Sequence, residues 1–192
     1  YNAAGAEIKN LKIDGNKANN DYLNGCRGGG IFFLRSHNVK IEDVIIENYN
    51  GDGLSFQQCR GLTIENIISR NNTGGGLHPG SGSTNIKMRK IKSKKNGNDG
   101  IFYCVRVTDT LLEESELINN GNTGISIGER DTDNIIRNNK ISGNKNSGIL
   151  FRETDRVMGP NQNQLDNNVF SENGFKKSRP EIDIKGETCQ VS

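Results

Sequence analysis

The sequence predicts an all-β chain wound as a right-handed parallel β-helix, a solenoid of about seven coils of 23–24 residues. Three observations predict it. A frame of Gly, then Ile or Leu, then a variable residue, then a bulky one, recurs at Gly30, Gly53, Gly76, Gly100, Gly124 and Gly148, at spacings of 23, 23, 24, 24 and 24. An apolar residue stands twelve positions before each glycine from Gly53 onward: Ile41, Ile64, Met88, Leu112 and Ile136, a register that extends outward to Ile8 and Leu165. Composition is the third: only 31% of residues are hydrophobic, there are 24 Gly and no Trp, and mean hydropathy is −0.71. Scarce but strictly spaced apolar residues suit a thin, extended core better than a compact globule.

Each unit is too short for a pair of helices and carries two or three short segments of alternating polarity, such as Val39-Lys40-Ile41 and Ile86-Lys87-Met88. Alternation argues strands, and the Gly and Asn clusters between them argue turns that accept left-handed backbone. The Leu-x-x-Leu-x-Leu signature of leucine-rich repeats is missing. Stacked strands of three-sided coils remain, and chain chirality winds parallel crossovers right-handed.

Within this frame two columns point inward: Ile31, Leu54, Leu77, Ile101, Ile125, Ile149, and Phe33, Phe56, Pro79, Tyr103, Ile127, Phe151. Four places before the glycines, Asn72, Asn96, Asn120 and Asn144 align, with Asn173 fitting the last coil. Such a column is expected to hydrogen-bond along the axis. The first coil carries about ten extra residues around 16–29, including Tyr22 and Cys26, and smaller excesses fall around 158–161 and 175–180. Insertions leave a β-helix as loops, and loops on a rigid scaffold often wall a binding groove. No domain boundary appears, so 1–192 reads as a single solenoid. It opens mid-pattern at Tyr1 and is expected to be a fragment of, or excised from, a larger chain.

The charge, +2 from 25 basic and 23 acidic residues, implies no basic face, so nucleic acid is not an expected partner. No apolar run approaches the roughly 18 residues of a membrane span. Cys26, Cys59, Cys104 and Cys189 lack CxxC spacing, which argues against zinc. Free thiols and any of three complete pairings stay open. No Gly-Gly-x-Gly-x-Asp calcium repeat is present, so no cofactor is assigned, and calcium is the one left open.

Strand side chains alternate faces, so the residue two after each glycine points outward. That stripe reads Phe32, Ser55, His78, Phe102, Ser126, Leu150, with Asp183 in the last coil. His78 lies near its middle and precedes a Pro-Gly-Ser-Gly-Ser turn found nowhere else in the chain. Histidine is the side chain best poised for proton transfer near neutral pH. Phe102 and Phe32 either stack on a sugar ring or lie beneath a loop. Arg106 and Arg130 fall six residues after their glycines, with Glu129 and Arg152 nearby, and Gln57 borders the stripe. Arginine forks suit carboxylates, so this set reads either as binding residues for an acidic sugar or as inter-coil ion pairs. Tyr103 belongs to the core in this register, and a one-residue bulge would expose its hydroxyl. Asp52 and Asp99 each precede a repeat glycine two coils apart, roughly the carboxyl separation of inverting glycosidases, about 6.5–9.5 Å; Asp-Gly is also ordinary turn chemistry.

The Asn- and Gly-rich repeat with Gly-Ile-x-Phe resembles the right-handed parallel β-helix repeat family. That resemblance covers nearly the whole chain. It implies a carbohydrate-active protein of the kind found among pectate lyases, alginate lyases and epimerases, polygalacturonase-like hydrolases and phage tailspikes. Some alginate epimerases and lyases carry Asp-Pro-His on an equivalent strand with Tyr and Arg nearby; this sequence has His78-Pro79, with no preceding Asp. The polygalacturonase Asn-Thr-Asp, Asp-Asp and Gly-His-Gly motifs are absent. The leading expectation is a lyase or C5-epimerase acting on an acidic polysaccharide or oligosaccharide at the cell surface or outside it. His78 would be the proton acceptor, Arg106 or Arg130 would neutralise the uronate, and Tyr103, if exposed, would be the general acid. Two alternatives are an inverting hydrolase using Asp52 and Asp99, and a non-catalytic glycan-binding or structural rod.

Overall fold

The computed structural model describes residues 1–23, 27–175 and 178–185. Its strands form two parallel sheets wound into a β-solenoid. One sheet has seven strands: Gly29–Leu34, Asp52–Gln57, Leu77–Gly80, Ile101–Phe102, Ile125–Ile127, Ile149–Phe151 and Ile182–Ile184. The first six begin at or near the repeat glycines, and we call this the glycine sheet. The other has eleven strands, because its three continuous eight-residue strands (Glu7–Asp14, Lys40–Glu47, Thr63–Arg70) give way in later coils to pairs of short ones such as Thr84–Arg89 and Lys92–Lys94. The expected tally of about seven coils is corrected to about five turns. Five regular intervals separate Gly30 from Gly148, while loops and 3-10 turns at Lys17–Asn19 and Arg156–Met158 interrupt the outer rungs.

Both sequence registers hold. The opposite sheet stacks Ile8, Ile41, Ile64, Met88, Leu112, Ile136 and Leu165 in one column. In the glycine sheet Leu54, Leu77, Ile101, Ile125 and Ile149 are fully buried, with Phe56, Tyr103, Ile127 and Phe151 beside them. Each coil alone buries almost nothing; stacking makes a continuous core whose large side chains are worth about 1.5–3 kcal/mol each on burial.

The asparagine column is a hydrogen-bonded ladder. Asn72 donates through its backbone N–H (3.2 Å) and its Nδ2 (3.0 Å) to Asn96 Oδ1, and the pattern repeats from Asn96 to Asn120, Asn120 to Asn144 and Asn144 to Asn173. Each side-chain oxygen from Asn96 to Asn173 takes two bonds, so turn amides that would otherwise be buried unpaired are satisfied. Two shorter ladders join Asn134 to Asn163 and Asn139 to Asn168.

The Pro79-Gly80-Ser81-Gly82-Ser83 turn marks a change of period. Gln57 pairs with Gly80, 23 residues on, whereas Arg60 bridges to Thr84, 24 residues on. The extra residue therefore lies between Gly80 and Thr84, where Ser81 (φ 46°) and Gly82 (φ 77°) take left-handed backbone. Ser83 Oγ closes the turn by donating to the Gly80 carbonyl at 2.7 Å. Coils beyond it keep the 24-residue period through Thr84–Thr108 and Thr108–Thr132.

Candidate active site

The stripe is in register, with Phe32, Ser55 and His78 aligned and Phe102, Ser126, Leu150 and Asp183 aligned, although Ser55 and Ser126 are buried. The Phe102 ring meets the His78 ring edge-on, with centroids 5.1 Å apart, and joins the two halves. His78 is only 9% exposed. It sits in a pocket of about 110 Å³ lined by Tyr22, Leu23, Asp52, Gly74, Gly75, His78, Asn98 and Phe102. Tyr22 and Leu23 come from the first-coil insertion, which walls the groove as its place in the repeat suggests. Cys26, expected in the same loop, lies outside the described residues.

At the centre is a dyad. His78 Nδ1 lies 2.7 Å from Asp52 Oδ2, while Asp52 Oδ1 accepts the Gly75 N–H at 2.6 Å. The carboxylate has room because Gly74 lacks a side chain; a Cβ there would stand 2.3 Å from Asp52 Oδ1 and 2.8 Å from the Gly51 backbone. Asp52 thus fixes the ring so that Nε2 is the nitrogen left for chemistry, and Nε2 has no hydrogen-bond partner. Burial lowers the imidazole pKa, but the bond to Asp52, the adjoining Cys104 and the Asp52 charge outweigh it and raise it to about 9. At neutral pH the ring is mostly an imidazolium. The expected transition near neutrality is thereby moved to alkaline pH.

Asp52 was predicted for a different role, as one of a hydrolase pair with Asp99. The geometry gives the two carboxylates separate duties. Asp99 is 2% exposed, and its Oδ1 accepts the Asn122 Nδ2–H (2.7 Å), the Thr123 N–H (3.0 Å) and the Thr123 hydroxyl (2.5 Å). Burial raises its pKa, opposed by those bonds. A carboxylate so enclosed is a turn cap and cannot face a glycosidic bond from the groove.

Tyr103 is corrected outright. It is fully buried, its hydroxyl sits 3.2 Å from Thr110 Oγ1, and burial drives its pKa upward. The strand has no bulge that would turn the ring outward, so Tyr103 is core and not a general acid at the groove.

Arg106 and Arg130 stand on the corner that closes the glycine sheet, both exposed and both with left-handed φ (55° and 56°), and neither lines the His78 pocket. Glu129, their neighbour, is exposed beside them. Arg152 is the arginine brought to the stripe. Its guanidinium carbon lies 4.5 Å above the Phe102 ring; Nη1 donates to Ser126 Oγ (2.8 Å), and Nη2 donates to the carbonyls of Tyr103 (2.8 Å) and Cys104 (3.1 Å). Asp131, fully buried, is 3.6 Å away. Burial raises the Asp131 pKa to about 6, although it accepts the Val107 and Gly128 N–H groups. One face of Phe102 is therefore covered by Arg152, and a sugar can meet only the rest of it. Phe32 packs edge-on against Tyr1 at 5.8 Å. Gln57 is 4% exposed, and neither amide atom has a hydrogen-bond partner.

Cys59 and Cys104 are free thiols, the first buried and the second partly exposed; Cys189 lies outside the described residues. Among the described residues no group of three or more His, Cys, Asp or Glu is placed to hold a metal ion, and no helix is long and apolar enough to cross a membrane. Sequence reasoning missed the Asp52–His78 dyad. The two residues are 26 apart, one 23-residue coil plus three places, so they meet diagonally across adjacent strands; a search of columns alone passes over such pairs.

The family model described as "Right handed beta helix region" matches residues 1–170. This chain belongs to that family. No curated protein matches its sequence. Among solved structures it is similar to the A-module of mannuronan C-5 epimerase AlgE6 from Azotobacter vinelandii, at 17% identity and TM-score 0.67 over 96% of this chain and 55% of that one. It is similar too to the periplasmic alginate epimerase AlgG, at 15% identity and TM-score 0.64 over 98% of this chain and 47% of that one. A third is ORF18 of Geobacillus virus E2, at 12% identity and TM-score 0.71 over 100% of this chain and 43% of that one. The β-helix chain thus spans about half the length of these relatives in fold.

Proposed function

We propose that this β-helix processes an acidic polysaccharide by moving the proton at C5 of a uronate residue, the step shared by lyases and C5-epimerases. The Asp52–His78 dyad carries the reading: an oriented imidazole whose Nε2 is buried and unpartnered, beside a walled pocket midway along the stripe. Two of the fold relatives are named as epimerases of such polymers, which makes this chemistry the first to test.

In the proposal Asp52 accepts the Nδ1–H and holds the tautomer, and neutral Nε2 takes the C5 proton. The carboxylate of the sugar must be neutralised for that proton to be acidic. Arg152, whose charge sits over Phe102 at the pocket edge, replaces Arg106 and Arg130 in this role. Reprotonation at C5 would complete an epimerase cycle; departure of the 4-linked oxygen would complete a lyase cycle. A polymeric substrate of this kind places the protein's work outside the cell or at its surface.

The test is a panel of polyuronates incubated in D2O. C5 deuteration by NMR reports the shared step, and ultraviolet absorbance of unsaturated uronate separates lyase from epimerase. His78→Ala is expected to fold normally and to lose about 10²–10⁴-fold in rate. Full exchange in that variant would remove His78 from the mechanism, and binding without exchange or chain shortening would favour a non-catalytic rod.

A further inference from the structure

The insertion that walls the His78 pocket has a second side. Leu23 lines that pocket and also a larger cavity of about 320 Å³, bounded by Gly15, Asn20, Asp21, Leu23, Tyr49 and Asn50. C5 proton transfer gives this cavity no duty. Its volume falls within the range of small-molecule sites, about 300–1,000 Å³. Three glycines bed the half-buried Tyr49: a Cβ at Gly15, Gly51 or Gly30 would stand 2.8, 3.1 or 3.5 Å from its ring. The insertion is pinned to the coil beneath it. Asn20 Nδ2 donates to the Gly15 carbonyl (2.8 Å), Asn50 Nδ2 to the Asn20 carbonyl (2.6 Å) and the Leu23 N–H to the Asn50 carbonyl (2.8 Å). Both amide nitrogens are thus engaged within the chain. Among the described residues no hydrogen bond or ion pair engages the Asp21 carboxylate, the Tyr49 hydroxyl or the side-chain oxygens of Asn20 and Asn50. The lining holds no Lys, Arg or His. The cavity therefore offers an aromatic ring, several free acceptors and one negative charge. A pyranose presents a face of C–H groups that rests on such a ring and a rim of hydroxyls that donate to such acceptors. A carboxylated sugar would meet Asp21 as a like charge.

We propose that this cavity is a subsite for an uncharged pyranose, so that the polymer handled is a mixed one in which a neutral sugar neighbours the reacting uronate. Asn50 lines the cavity and Asp52 lines the His78 pocket. The two residues are separated only by Gly51, which spans at most about 7 Å of chain, so adjoining sugars of one polymer can occupy both sites. The charges divide the work: Asp21 disfavours a uronate in the cavity, while Arg152 stands at the edge of the pocket beside Phe102. The pairing of the two sugars rests on the proposed function; the binding of a neutral sugar beside Tyr49 does not.

The experiment is titration of the assigned amide NMR spectrum with methyl glucoside, methyl galactoside and methyl mannoside, and with glucuronate and galacturonate. At least one neutral glycoside is expected to shift the amides of Asn20, Asp21 and Asn50, and neither uronate is. Tyr49→Ala should weaken that binding roughly ten-fold or more. Asp21→Lys changes an exposed residue and should bring a uronate onto the same amides, a gain that a merely structural role for the loop would not produce. Wild-type protein in which no neutral glycoside moves those amides, or in which a uronate moves them as readily, overturns the proposal. So does an Asp21→Lys protein that folds and still excludes uronates. Neutral-sugar binding at the cavity with no C5 exchange in any polymer supports the subsite and removes the proton-transfer reading. C5 exchange in a protein whose cavity ignores every neutral glycoside overturns the subsite alone.

Discussion

Asp52 and Asp99 occupy the same place in coils two apart, each just before a repeat glycine, and each accepts the backbone N–H of the coil that follows. Their fates differ because of the residues set against them. Asp99 meets Asn122 and Thr123, whose side chains take up the same oxygen and close over it. Asp52 meets Gly74 and Gly75, which have no side chains, so its second oxygen is left to reach His78. Where His78 stands in its coil, the later coil has Ser126, which is bound by Arg152. One scaffold position thus yields a turn cap or half of a reactive dyad, according to two residues on the next coil.

The sharpest way to break that difference is Asp52→Asn. The amide keeps an acceptor for the Gly75 N–H but cannot hold the Nδ1–H tautomer or sustain an imidazolium. C5 exchange should fall roughly 10²-fold or more, and NMR titration should place the His78 transition well below about 9. Asp99→Asn is the matched control. If Asp99 only caps Thr123, exchange is unchanged within error and the denaturation midpoint shifts by no more than about 1 kcal/mol; abolished turnover would restore the hydrolase pair.

Gly75→Thr would copy the surroundings of Asp99 onto Asp52. A Cβ at Gly75 would meet the Asp99 carbonyl oxygen at 3.2 Å and Asp52 Oδ1 at 3.5 Å, so the chain should fold after a shift of a few tenths of an ångström. The new hydroxyl should compete for the carboxylate and cost about ten-fold in rate, near 1.4 kcal/mol of dyad stabilisation. The substituted protein's pH–rate curve is the check: its midpoint should move down.

A smaller effect concerns pH and stability. In the wild type, catalysis by neutral His78 should rise with pH to a plateau above about 9. Stability should move the other way. The folded pKa lies above the ordinary 6.5, so the ion pair's contribution is whole below about 6.5 and is lost as pH rises through about 9. Urea midpoints of wild type and His78→Gln, measured across that window, should converge at the alkaline end. Least visible to the site is Asn120→Ala: removal of a ladder rung costs about 1–3 kcal/mol with C5 exchange unaltered.

The scaffold was legible because its physics is periodic. Ile41, Ile64 and Met88 stack only if the spacing is kept, and Asn72 to Asn173 bond only if they align, so regular spacing in the chain becomes regular contact in space. The site resisted the same reading because its contacts run diagonally or depend on absent side chains. His78 was visible as the exception in its column, but its partner was hidden by a 26-residue offset and by the glycines that admit it. The sequence does not rank Arg106, Arg130 and Arg152 against one another, for one reason. Position after the glycine does not show which arginine turns back over Phe102 and which stays on a left-handed corner.

The residue gained between Gly80 and Thr84 makes a seam in the rod. At it the pairing interval steps from 23 residues to 24, and His78 lies just before the join. Downstream turns are therefore interchangeable parts: a copy of residues 111–134 spliced in after itself preserves every column and lengthens the groove by one rung. Length in this architecture is adjustable by whole coils on the C-terminal side of His78.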